Sequence, residues 1–240
     1  MITKIAVRNY KSLKELTLKL RPLTVFVGPN NAGKSNLLDC FFLQKDLTDQ
    51  GSGAVDGRGG FRDLVWDGET TRSMSFRFEG SLRGPGRATT FSYDLAIVGG
   101  PAQHRIERES FTIGTGSESR VLLELNPQGA TILWGVDGAQ LMGFSTDSRQ
   151  PALRMVGGVD PTSPVASFAG KVSSWRRYRM NPTVMRNLSP ARRAVQMEDS
   201  GENMGAVLHT LQTEYPERFT RLKSLIREVW SPRSRTSTRR

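Results

Sequence analysis

The feature that most constrains this chain is the segment GPNNAGKS at residues 28–35. It fits the pattern G-x-x-x-x-G-K-[ST] at every fixed position. Residues 23–27, LTVFV, form a short apolar run rich in β-branched side chains, which predicts a buried strand. After the segment, Leu37, Leu38 and Phe41 fall at helical spacing. A strand, a glycine loop and a helix in this order surround phosphate oxygens with backbone N–H groups. The sequence therefore predicts a nucleoside triphosphate site.

Each fixed position of the loop has a predicted role. Gly28 and Gly33 are expected to allow backbone angles and close approaches that a Cβ atom would block. Lys34 is expected to place a cation on the β- and γ-phosphates, and Ser35 to offer its hydroxyl to Mg²⁺. The predicted cofactors are therefore ATP and Mg²⁺, and the alternative is a chance glycine turn before a helix. The predicted nucleotide-binding residues in this segment are Gly28, Pro29, Asn30, Asn31, Ala32, Gly33, Lys34, Ser35 and Asn36.

The composition constrains the cellular compartment that is expected for this chain. The chain has 240 residues and a single cysteine, Cys40, so it cannot form an internal disulfide. No apolar run approaches the roughly 20 residues that span a membrane. The first residues enter a strand-like alternation at once and lack the apolar region of a signal peptide. These features predict a cytoplasmic protein with no membrane partner.

The net charge of +11 is unevenly distributed. Residues 171–193 contain seven basic side chains and no acidic one, and residues 231–240 contain four arginines and no acidic side chain. These two segments account for the whole excess. The pattern favours nucleic acid as a partner. The alternatives are a solvated basic face, or arginines that contact the phosphates of ATP.

The remaining pattern divides the chain into regions. Two strands are expected before the loop, and residues 47–60 and 142–165 are expected to be irregular because they are rich in Gly, Ser and Asp. Apolar and polar residues alternate over about 73–141, which predicts an antiparallel β lobe beside the nucleotide core. A lateral helical part is expected at about 165–230, and 231–240 is expected to be a basic disordered tail.

The opening residues also carry a family resemblance. Asn9-Tyr10-Lys11-Ser12 stands just ahead of Gly-Pro-Asn-Asn-Ala-Gly-Lys-Ser. This combination resembles the start of the RecF/SMC/OLD-type ATPases, which are ABC-like P-loop ATPases of the AAA type. The resemblance covers residues 1–230 and the N-terminal portion of the family's ATPase. It implies that Lys11 and Ser12 lie near the nucleotide, with a solvated surface lysine as the alternative for Lys11.

The resemblance sets the expected fold class and function. The fold is expected to be α/β, a P-loop NTPase core with an antiparallel β lobe. The implied function is an ATPase acting in DNA repair or anti-phage defence, through a homodimer or a complementing second polypeptide. The alternative is a non-catalytic, nucleotide-dependent module that binds protein or DNA. A GTPase or a small-molecule kinase is disfavoured, because the chain lacks N-K-x-D and has a long β region after the loop helix.

The family's later motifs have no match in this sequence. We find neither a signature loop nor an apolar run ending in Asp-Glu, so the C-terminal half of the ATPase is expected to be missing through truncation or gene splitting. Asp67 and Glu69, in LVWDGE, could imitate such a run, but only three apolar residues precede them and we reject the match. No catalytic residue is therefore assigned. We expect weak nucleotide binding, negligible turnover by the chain alone and poor solubility.

Overall fold

The computed structural model describes most of the chain, in two compact units. The first unit spans residues 1–175 and the second begins at residue 176. The predicted tail at 231–240 lies outside the described residues. The residues described are 1–83, 88–100, 103–125, 130–145, 149–156, 160–189 and 192–230.

One eight-stranded sheet dominates the first unit, so the fold is mixed α and β. The strand order is β2-β1-β3-β4-β5-β6-β7-β8, and every pairing among the described residues is antiparallel. The β-rich region predicted at about 73–141 forms six of these strands. The two opening strands continue the same sheet. The strands are β1 (Ile2–Tyr10), β2 (Leu13–Lys19), β3 (Met74–Arg83), β4 (Ala88–Gly99), β5 (His104–Ile113), β6 (Arg120–Leu125), β7 (Ala130–Trp134) and β8 (Gln140–Ser145).

Helices cover one face of this sheet. In β3 the predicted alternation holds, with Met74, Phe76 and Phe78 buried. Phe78 packs edge-on against Phe41 of the long helix α1, at 5.5 Å between ring centroids. Phe168 of α5 packs against three aromatic rings of β4 and β5. The helices of this unit are α1 (Lys34–Gln50), α2 (Gly53–Asp56), α3 (Phe61–Leu64), α4 (Leu153–Val156) and α5 (Pro164–Ser173).

The irregular segment predicted at 47–60 is partly helical. Helix α1 continues to Gln50 because Leu47 and Thr48 still face the core. Helix α2 follows because Ala54 and Val55 are buried. The segment predicted to be irregular at 142–165 likewise contains α4 and the start of α5. In both places the burial of a few apolar side chains outweighs the local preference of Gly, Ser and Asp for turns.

The strand predicted at residues 23–27 is absent from the described structure. These residues form a loop, and Leu23, Val25 and Val27 are 82%, 72% and 91% exposed. A strand needs a neighbour that accepts its backbone hydrogen bonds. None of the strand pairings among the described residues involves this segment. The P-loop NTPase core expected around this strand is therefore not seen among the described residues.

The rejection of residues 64–69 as an apolar strand ending in acids is confirmed. Phe61–Leu64 is helix α3, and Trp66–Gly68 is a 3₁₀ turn. Asp67 adopts a left-handed backbone (φ +58°) at the surface. This segment packs through Leu64 and Val65, and Val65 forms an isolated antiparallel bridge with Tyr10.

The helical part predicted at about 165–230 begins with α5 in the first unit, and further helices lie in the second unit. It contains α6 (Pro182–Met185), α7 (Met204–Glu214) and α8 (Pro216–Trp230), and α7 and α8 pack together. The buried Asn203 side chain accepts a hydrogen bond from the Glu198 N–H and donates to the Gln196 carbonyl. Among the described residues of the whole chain, none of the helices combines the length and apolar character that crossing a bilayer requires.

Candidate functional site

Helix α1 begins directly at the predicted phosphate-binding residues. Gly33 is its cap residue and has a left-handed backbone (φ +87°). A Cβ atom there would lie 3.0 Å from the Leu13 side chain and 3.1 Å from the Ser12 hydroxyl. Gly33 has no side chain that could cap the helix, and residues 34–37 include no acid. The first N–H groups of α1 and its dipole therefore favour an anion.

The lysine of the loop folds back over that loop. The Lys34 ammonium group donates to the carbonyl oxygens of Gly28, at 2.8 Å, and Pro29, at 2.6 Å. This conformation places the only charge of residues 28–35 at the mouth of the loop. The contacts are with neutral, exposed carbonyls, so a phosphate can compete for the ammonium group with a stronger, charge-assisted interaction.

The two glycines of the loop differ in what they require. Gly33 needs its left-handed backbone, whereas Gly28 is not among the glycines with positive φ. A Cβ atom at Gly28 would meet only Ala32, at an ordinary 3.8 Å. Asn31 is also left-handed (φ +65°), a conformation that Asn tolerates better than most residues. The predicted loop residues from Gly28 to Ala32 are all exposed.

Ser12 lies against the start of α1. The Asn36 amide donates to the Ser12 hydroxyl at 2.8 Å, so two predicted residues from different elements are in contact. Ser12 belongs to a turn at residues 9–12, in which Asn9 and Lys11 are left-handed (φ +53° and +48°). The Lys11 N–H donates to the Leu64 carbonyl at 2.7 Å, which fixes this turn.

The structure pairs Lys11 with a carboxylate that sequence reasoning missed. The Lys11 ammonium group donates to Asp39 of α1 and forms an ion pair with it. The Tyr10 hydroxyl donates to the same carboxylate at 2.8 Å, and the guanidinium of Arg58 lies 3.8 Å from it. Arg58 also pairs with Asp46 at 2.5 Å. The sequence feature that could have indicated this pairing is Asp39 itself, because it is an acid inside an otherwise apolar stretch of the helix.

The electrostatics of this cluster favour a charged Asp39. Burial by itself would raise the pKa of the Asp39 carboxyl, but the hydrogen bonds from Lys11 and Tyr10 outweigh it, and this pKa lies below its usual value. Burial, followed by the nearby Asp39 charge, raises the pKa of the Tyr10 hydroxyl. Tyr10 therefore stays a hydrogen-bond donor to an ionised Asp39 at neutral pH.

Ser35 is the residue of this site that could hold Mg²⁺. Its side chain is exposed in the first turn of α1, beside the N–H groups that would hold phosphate oxygens. The residue types fit, because Mg²⁺ in such sites takes a hydroxyl and phosphate oxygens as ligands. Across the described ranges, no group of three or more His, Cys, Asp or Glu side chains could hold a metal ion on its own.

Comparisons with known proteins agree with the N-terminal pattern. Residues 1–76 match the sequence profile of the AAA ATPase domain. No curated protein matches the chain. One solved structure is similar at 19% identity and a TM-score of 0.31, over 47% of this chain and 69% of that one. It comes from a study of ATP-driven dimerization and DNA-stimulated activation of SMC ATPases. Residues 1–76, which the family profile matches, contain the turn at 9–12, the loop at 28–35 and Asp39 on α1. Over residues 1–76, this chain is therefore similar to the AAA ATPase domain.

Proposed function

We propose that residues 28–36 bind ATP with Mg²⁺ and that this chain contributes the phosphate-binding half of an ATPase site. The observation that carries the proposal is Lys34 at the uncapped start of α1, with its ammonium group held by two loop carbonyls. In this proposal the ammonium group leaves the Gly28 and Pro29 carbonyls for the β- and γ-phosphates. The N–H groups of the first turn hold phosphate oxygens, and the Ser35 hydroxyl ligates Mg²⁺.

The test is the binding of a fluorescent ATP analogue, with and without Mg²⁺, by the purified chain. Lys34→Ala should abolish measurable binding because it removes the phosphate-binding cation. Lys19→Ala is the matched control, since Lys19 is an exposed lysine at the end of β2. Competition by GTP distinguishes an ATPase from a GTPase. Equal binding by wild type and Lys34→Ala would refute the proposal.

Turnover is proposed to need a second copy or a complementing polypeptide. The three exposed apolar side chains at Leu23, Val25 and Val27 support this, because they lie directly before the loop and their backbone pairs with none of the described strands. Strands supplied from outside would cover them and bring acidic groups for Mg²⁺ and the attacking water. We expect ATP binding without hydrolysis by the chain alone. Robust Mg²⁺-dependent hydrolysis that is lost in Lys34→Ala would contradict this.

A role on nucleic acid, in DNA repair or anti-phage defence, is the further part of the proposal. The basic segment predicted from the sequence is partly neutralised in the second unit, where Arg192 pairs with Glu198 at 2.5 Å and Arg193 with Glu214 at 2.7 Å. Arg179 and Arg186 are exposed. They stand in the same stretch as the exposed ring of Tyr178. Arginines and an aromatic ring are the side-chain types that contact a phosphate backbone and its bases.

DNA binding can be tested by fluorescence anisotropy across a salt series. Replacing both Arg179 and Arg186 with Ala should weaken binding and reduce the salt slope by roughly one unit per lost phosphate contact. Arg193→Ala is the control, because its guanidinium is already paired with Glu214. Loss of binding only in Arg193→Ala would refute this assignment.

A further inference from the structure

The carboxylate of Asp39 joins the helix of the phosphate-binding loop to the turn at residues 9–12. It lies on α1 one turn after Ser35 and receives hydrogen bonds from Tyr10 and Lys11, which stand next to each other in that turn. Arg58 adds a third positive or donor group from the segment after α2. Three separate parts of the chain therefore meet at one ionised side chain.

This turn would not keep its shape without such contacts. Asn9 and Lys11 both have positive φ, which is unfavourable for a residue such as Lys. Such backbone persists only where the surroundings fix it. Here the Lys11 N–H is tied to the Leu64 carbonyl and the Lys11 side chain to Asp39. The carboxylate is thus one of the contacts that hold Lys11 in this conformation.

The turn at residues 9–12 also contacts the phosphate-binding loop and the start of α1. The Ser12 hydroxyl accepts the Asn36 amide of the first turn of α1. It also lies close to Gly33, at 3.1 Å from where a Cβ atom would be. A shift of the turn would move Ser12 and release Asn36 beside the N–H groups that are proposed to hold phosphate. Geometry at a phosphate site matters strongly, because its donors must be placed before the anion arrives.

We propose that Asp39 is a positioning residue for nucleotide binding. It touches no phosphate, but it fixes the turn at 9–12 against the loop and holds the Lys11 ammonium group on α1. This inference rests on the proposed function of the loop. The proposal also argues against direct contact between Lys11 and phosphate. If Lys11 bound phosphate directly, loss of Asp39 would free its ammonium group for the nucleotide and would not weaken binding.

The sign of the Asp39→Asn effect separates these roles. If Asp39 positions the turn, this substitution should weaken binding of a fluorescent ATP analogue about tenfold, since a charge-assisted hydrogen bond to Lys11 is lost. If Lys11 binds phosphate directly, Asp39→Asn should leave binding unchanged or tighten it, which would overturn the proposal. Asp94→Asn is the matched control and should leave binding unchanged. Its carboxylate is ion-paired with Arg77 and is as exposed as that of Asp39, at 16%.

Two further measurements make the test specific. The double variant Lys11→Met/Asp39→Asn should bind the ATP analogue no more weakly than the weaker-binding of the two single variants. The reason is that the two side chains act as one ion pair, so their losses should not add. Additive losses would overturn the proposal. Without any nucleotide, amide hydrogen exchange at Lys11 should be faster in Asp39→Asn than in wild type. Unchanged exchange would also overturn it.

These outcomes are distinguishable from failure of the proposed function. If wild type and Lys34→Ala bind nucleotide equally, the loop is not a phosphate site and both proposals fail. If Lys34→Ala loses binding while Asp39→Asn does not, the proposed function stands and the positioning role alone is refuted.

Discussion

The carboxylate of Glu109 lies 2.9 Å from the hydroxyl of Tyr93, and both side chains are fully buried. The same carboxylate accepts hydrogen bonds from the N–H groups of Ala152, at 2.6 Å, and Leu153, at 2.9 Å. The Gln44 amide of α1 donates to the Tyr93 hydroxyl at 3.3 Å. One acidic group on β5 therefore links α1, the sheet and the start of α4.

Glu109→Ala should destabilise the chain severely. It leaves the Tyr93 hydroxyl and two buried N–H groups without their acceptor, at an expected cost of about 3–5 kcal/mol in the free energy of unfolding. Glu109→Gln keeps one acceptor oxygen and should cost about 1 kcal/mol. Urea unfolding followed by circular dichroism measures both. Glu107→Ala, at an exposed position of the same strand, should change stability little, and an equal loss in that control would contradict the argument.

The stability of the chain should fall as pH rises towards neutrality. Burial raises the pKa of Glu109 from its ordinary 4.5 to about 7, against the opposing hydrogen bonds from Leu153, Ala152 and Tyr93. Between these values the folded state holds the proton and the unfolded state does not, so the free energy of unfolding should decrease by about 1.4 kcal/mol per pH unit and level off above 7. Urea unfolding at pH 5.5–8 measures this slope. In Glu109→Gln this contribution should vanish, and an unchanged slope there would refute the assignment.

Glu109 also illustrates what could not be predicted from the sequence. Strict alternation from His104 and Ile106, which are both buried, would place residue 108 inward and 109 outward. A register shift in β5, opposite Ala96 and Ile97, reverses which face of the sheet the following side chains occupy. Glu109 and Phe111 therefore face the core. His104 begins β5 and is buried.

The local sequence pattern was sufficient to predict features that depend on a single helix or strand. The glycine, lysine and apolar residues of the loop segment correctly place the start of α1, and alternation correctly gives the inward face of β3. It failed at residues 23–27, because an apolar run can predict a strand but cannot supply the neighbour that pairs with it. It also missed the pairing of Lys11 with Asp39, which are 28 residues apart and meet only through the fold.

Gly33→Ala and Gly28→Ala should differ in their effects on stability. At Gly33 an alanine would be left-handed and would press on Leu13 and Ser12, so a loss of about 1–3 kcal/mol is expected. At Gly28 the added methyl group meets only Ala32 at contact distance, so the change should stay within about 0.5 kcal/mol. Thermal unfolding of the two variants without nucleotide makes the comparison. Equal melting temperatures would show that the backbone at Gly33 is not constrained.

The exposed segment at residues 23–27 should contribute to association and not to the stability of the isolated chain. Val25→Thr with Val27→Thr keeps the side-chain shape and adds hydroxyls that water can solvate, so the free energy of unfolding should change by less than about 0.5 kcal/mol. Val7→Thr is the buried control on β1 and should cost about 1–3 kcal/mol, because its hydroxyl would be buried.

The same double variant should self-associate less than wild type in sedimentation velocity, because it makes an exposed apolar edge polar. If it is instead destabilised as much as Val7→Thr, the segment is packed within the chain, and the case for covering strands from a second copy or a complementing polypeptide is lost. If stability holds and association falls, the segment is the surface that such strands would cover. Its position directly before Gly28 would then explain why completion of the sheet and completion of the ATP site are expected to occur together.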